Sequence, residues 1–158
     1  MKRCLTIMLF LSVLSLPSIL FAVDPIIGTW KMNPAKSKFP SPQLAQKEQT
    51  EVYREIGNGR IELTYRNINN DGALTLEVFI FPAQGGTAEV VKGANAGRSY
   101  IETKINSNEW YATCLENGKQ LWVLHKAVSK DGNTLVKTSR EIDEQGNSLE
   151  YHLVLERQ

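Results

Sequence analysis

From residue 26 onward, short runs of alternating apolar and polar positions are cut by turn signals about every ten residues. Leu149, Tyr151, Leu153 and Leu155 fall on one side of such a run, with Glu150, His152, Val154 and Glu156 on the other. Ile61, Leu63 and Tyr65 oppose Arg60, Glu62, Thr64 and Arg66 in the same way, and Leu74, Leu76, Val78 and Ile80 oppose Thr75, Glu77, Phe79 and Phe81. A period of two with one apolar face predicts strands buried on one side. Between Gly57-Asn58-Gly59, Asn69-Asn70-Asp71-Gly72, Gln84-Gly85-Gly86, Lys92 to Gly97, Asn106-Ser107-Asn108, Asn117-Gly118, Lys130-Asp131-Gly132 and Glu144-Gln145-Gly146, the runs predict strands near 26–32, 48–56, 60–67, 73–81, 87–91, 98–105, 109–116, 119–128, 133–142 and 147–156. Asn117-Gly118 predicts a two-residue type I′ turn, because both positions of that turn need positive φ. Pro34 to Phe39 has room for one helical turn, and Pro40-Ser41-Pro42 then forces the chain extended. No long amphipathic helix is in view. A sheet with no helical layer over it must close to remove its edges. The predicted fold is all-β, a single antiparallel up-and-down β-barrel of about eight to ten strands.

The first 22 residues follow a different pattern. Met1-Lys2-Arg3 is a basic start, Cys4 to Phe21 is almost uninterruptedly apolar, and Leu20-Phe21-Ala22 ends it with a small residue, which predicts a cleaved export signal over 1–22 and a barrel domain over 23–158. Pro17 and Ser18 interrupt the run and no charged flank follows, so a retained membrane anchor is disfavoured. Export to the periplasm or the outside of the cell is the expectation, with no integral membrane segment after cleavage. Loss of Lys2 and Arg3 from the 18 basic residues leaves 16 against 17 acidic ones, a net charge of −1 with the signs interspersed. Such a balance offers no attraction for nucleic acid. Cys114 is then the one remaining cysteine, so an internal disulfide is ruled out and a buried inert thiol is expected.

Gly28-Thr29-Trp30 on the first strand resembles the start of the calycins, the lipocalins and fatty-acid-binding proteins. With Lys31, Asn33, Lys36-Ser37-Lys38-Phe39, Ser129-Lys130-Asp131-Gly132-Asn133-Thr134-Leu135 and Glu156-Arg157-Gln158, the chain resembles uncharacterised secreted bacterial lipocalin-like proteins nearly end to end. The resemblance implies that Trp30 plugs one end of the barrel against an arginine from a late strand, with Arg140 and Arg157 as the candidates, and that Gly28 allows close backbone approach. Fatty-acid-binding proteins hold a carboxylate with Arg-x-Tyr on the last strand. Here that place reads Glu150-Tyr151-His152, so the clamp does not transfer.

The candidate chemistry is sparse. Arg54, between Val52 and Ile56, falls on the presumed inner face, where a permanent charge needs a partner or an anionic group. A bulge, a strand end open to water, or an ion pair with a glutamate across the sheet is the plainer account of it. The expected ligand-binding set is Arg54, Leu63, Tyr65, Leu76, Tyr151 and Leu153, with Arg54 and Tyr151 orienting an amphipathic head group and the leucines lining its apolar end. His125 and His152 stand singly and no metal-ligand spacing accompanies them, so neither metal nor cofactor is expected. Glu62, Glu77 and Glu102 are expected to point outward, leaving no paired acid and base, and no nucleophile motif is present. Phe79 and Phe81 interrupt a polar face and read as a covered or partner-binding patch. The functional classes are therefore an exported carrier of an apolar or amphipathic small molecule, an envelope interaction module with a solid barrel, and, ranked last, an enzyme. Interior volume separates the first two.

Overall fold

The computed structural model describes residues 23–93, 97–143 and 145–158; the predicted export signal and the centre of the Lys92–Arg98 loop lie outside them. Ten strands follow one another: β1 (Gly28–Met32), β2 (Gln46–Glu55), β3 (Arg60–Asn69), β4 (Leu74–Pro82), β5 (Gly85–Lys92), β6 (Arg98–Lys104), β7 (Glu109–Glu116), β8 (Lys119–Val128), β9 (Thr134–Ile142) and β10 (Ser148–Arg157). Each pairs antiparallel with the next, and β10 returns to β1, so the sheet is a closed barrel. No helix among the described residues is long and apolar enough to cross a membrane.

Local chemistry sets the connections. Asn117 and Gly118 have φ of 50° and 78°, the left-handed pair a type I′ turn requires. Between β1 and β2 the backbone amides of Lys36 and Ser37 donate to the Asn33 carbonyl in one helical turn, and the Asn33 side chain accepts from Ala35 and Lys36. Pro42 then opens a 3-10 turn over Pro42–Leu44, where a missing N–H costs nothing.

Register decides which face of each strand is inside. Residues directly opposite in an antiparallel pair share a face. Trp30 lies opposite Glu51, Leu63 opposite Tyr53 and Phe79, Ile61 opposite Phe81, and Tyr65 opposite Glu51 and Glu77. Since Trp30, Ile61 and Leu63 pack into the core, Glu51, Tyr53, Phe79 and Phe81 must follow them inward. Several predicted facings are therefore corrected. Arg54 is exposed near the end of β2, opposite Glu62 on the outer face, and Leu76 is half-buried on the outer face of β4 beside Arg66. Phe79 and Phe81 are buried in the barrel, so they make no partner-binding patch. Glu77 and Glu102 also turn inward, against the outward reading, whereas Glu62 does not line the interior.

Candidate functional site

One end of the barrel is plugged. Ile26, Trp30, Met32, Leu135 and Leu155 are packed there with almost no exposure, and the Trp30 indole N–H donates to the Ile26 carbonyl at 2.8 Å. Of the two candidate arginines the plug uses Arg157, whose guanidinium stacks 4.2 Å from the Trp30 ring centre and donates to the carbonyls of Ile27, Pro25 and Gly132 at 2.7, 2.6 and 2.5 Å. Arg140 is exposed and pairs with Glu150. Gly28 has φ of +143°, and a Cβ there would collide with Arg157 Nη1, which accounts for the glycine two residues before the tryptophan.

Above the plug the interior turns polar. Lys137 of β9 donates to Glu51 Oε1, and Glu51 also accepts from the Gln49 amide at 2.5 Å and the Tyr53 hydroxyl at 2.8 Å. Lys126 of β8 donates to both oxygens of Glu102 at 2.8 and 2.7 Å and lies against the Tyr53 and Phe81 rings. Burial pushes the Glu51 carboxyl up, but the Lys137 charge and the hydrogen bonds outweigh it and hold the group below its ordinary value. Burial and the Glu51 and Glu102 charges raise the Tyr53 phenol well above its ordinary value, so it stays a donor.

Toward the other end the barrel holds a cavity of about 300 Å³. Phe79, Tyr100 and Trp122 form one wall, with ring centres 4.9 and 6.0 Å apart, and Leu63, Leu124 and Leu153 extend its apolar surface. Tyr65, Tyr151, Gln46, Gln49, Glu77, Ser139 and Glu141 bring polar groups to the same space. Glu141, held chiefly by burial above its ordinary value, keeps its proton more readily than a surface carboxylate, with the Ser139 hydrogen bond and the Arg98 charge opposing this. A second hollow of about 260 Å³, between Gln43–Gln46 and the Asn69–Asp71 turn, shares Gln46 and Tyr151 with the cavity.

Two solved structures share this architecture. A point mutant of the fluorescent protein UnaG matches over 84% of this chain and 96% of its own, with a TM-score of 0.57 at 11% identity. Zebrafish ileal bile acid-binding protein in complex with cholic acid matches over 85% and 99%, with a TM-score of 0.52 at 13% identity. The barrel has the calycin fold. No protein-family model and no curated protein matches the sequence.

Of the residues singled out in the sequence, this calycin barrel brings Leu63, Tyr65, Tyr151 and Leu153 to the cavity wall and leaves Arg54 and Leu76 outside. An Arg54–Tyr151 clamp on an anionic head group therefore does not exist. His125 sits opposite Tyr111 on the outer face, their rings 4.8 Å apart. Among the described residues no group of His, Cys, Asp and Glu is placed to hold a metal. Sequence reasoning missed Gln49, Glu51, Glu102, Lys126, Lys137 and Glu141. Lys126 had a signal, since it shares parity with Trp122, Leu124 and Val128; Glu51 and Gln49 become visible only through register with Trp30 and Leu63.

Proposed function

We propose that the protein is an exported carrier that binds an amphipathic small molecule inside the barrel. The observation that carries this reading is the cavity: about 300 Å³, with an aromatic and aliphatic wall and a few convergent polar groups. That is the low end of the range for small-molecule sites and the composition they usually have. A barrel filled solid with side chains, the premise of the envelope interaction module, is at odds with this volume, and burial of Phe79 and Phe81 removes the patch that motivated it. The complex of the zebrafish protein with cholic acid supports the use of such an interior for an amphipathic ligand. Export rests on the basic start, apolar run and small-residue end of residues 1–22.

The test is mass spectrometry of small molecules extracted from protein purified from its native host under non-denaturing conditions. A reproducible passenger, displaced when Leu153→Trp fills the cavity, is the expected result. Protein that comes out empty, or a passenger retained unchanged by the filled variant, overturns the reading.

A further inference from the structure

The charged groups of the cavity are short of cations. Lys126 and Lys137 are its two ammonium groups, and both are taken up, by Glu102 and Glu51. Glu141 is a further carboxylate on the same wall, and among the described residues no ion pair reaches it. Even with Glu77 left aside, the lining carboxylates outnumber the lining cations.

A second observation is independent of charge. Gln49 is 1% exposed, and its Oε1 has no hydrogen-bond partner. Its orientation is determined by its neighbour: the amide nitrogen donates to Glu51, and turning the amide over would set oxygen against carboxylate. The Oε1 of Gln46, which lines both the cavity and the second hollow, is likewise buried and unpartnered. An unpaired buried acceptor has given up its hydration with nothing in return, so two on one wall are a standing demand for a ligand donor. Tyr65 ties these groups together, since its phenol oxygen accepts from the Gln46 amide nitrogen, it lies opposite Glu51, and the charges of Glu51 and Glu141 both act on it.

We propose, on the carrier reading above, that the ligand is a protonated amine on an apolar body, its ammonium seated at Glu141 with the Gln46 and Gln49 carbonyl oxygens as further acceptors and its body against Phe79, Tyr100 and Trp122. An ammonium brings three donors and no acceptor, which matches what the wall lacks. The neighbouring aromatic faces add cation–π attraction. A carboxylate ligand would instead bring a further negative charge beside Glu141.

Octylamine, octanol and octanoate share one chain length and differ in the head group, so calorimetric titration of the full protein with each separates the cases. Octylamine should bind at least about tenfold more tightly than the other two, and Glu141→Gln should remove most of that preference without weakening octanol binding or lowering the thermal melt. Glu141→Asp, which keeps the charge, should retain part of it. Octanoate or octanol binding as tightly as octylamine overturns the amine assignment and leaves the carrier standing. Binding of none of the three to folded protein overturns both. A preference that survives Glu141→Gln refutes the seat at Glu141.

Discussion

Lys137 and Glu51 meet in the middle of the barrel with side chains 8% and 0% exposed, and an ion pair so placed is held by its geometry rather than by net energy gain. Removing one partner strands the other. Lys137→Met should therefore cost about 3–5 kcal/mol in denaturant melts at neutral pH, much more than a surface pair. The pH dependence has a definite sign. In the folded protein Glu51 is held below its ordinary value, so its contribution is present above that value and is lost as the pH falls below 4.5 through the depressed folded one. Without Lys137, burial is opposed only by the Tyr53 and Gln49 hydrogen bonds and the Lys126 charge and the carboxyl moves up, so the destabilisation by Lys137→Met should shrink on acidification to about pH 4. An equal penalty at both pH values would mean that Glu51 is not charged in the folded protein. Trp30→Ala should cost about 3–5 kcal/mol by the same melts, since it empties the plug and leaves the Arg157 guanidinium without its ring; a loss under about 1 kcal/mol would contradict the buried position.

Strand β5 is the least anchored element of the barrel. It meets β4 through a bulge between Val78 and Phe79 with three registered pairs, and Glu89, Val90, Val91 and Lys92 are all exposed. By contrast β9 and β10 pair over nine positions and carry Leu135, Leu153 and Leu155 into the core. Few buried apolar contacts mean low local opening energy. In hydrogen-exchange mass spectrometry, peptides over Glu89–Lys92 should exchange well before those over Leu135–Ser139; equal protection would show that the barrel opens only as a whole. At this scale the pattern in the chain was informative wherever the two faces of a strand differ in polarity. The facings of β3 and β10 were readable from Leu63 and Leu153. Those of β2 and β4 were not, because β2 puts Gln49 and Glu51 inside and β4 has apolar residues on both faces, so alternation alone cannot choose between them.

For the whole molecule, the number of strands, their antiparallel order and the closure of the sheet were determined by the sequence, because turn residues with forced φ and runs of period two are local properties that act before any long-range contact. The plug at Trp30 was readable for a similar reason: Gly28 and Trp30 lie on one short strand. Only the tertiary structure decided that Arg157 rather than Arg140 completes that plug, that Lys137 meets Glu51 across 86 residues and Lys126 meets Glu102 across 24, and that Arg54 faces water. These are consequences of register and closure, which place side chains from distant strands in one interior, and a buried charge is tolerated only where such a partner arrives. The cavity belongs to the same class. Its volume is what remains after ten inner faces have been packed together, and no single strand carries a record of it.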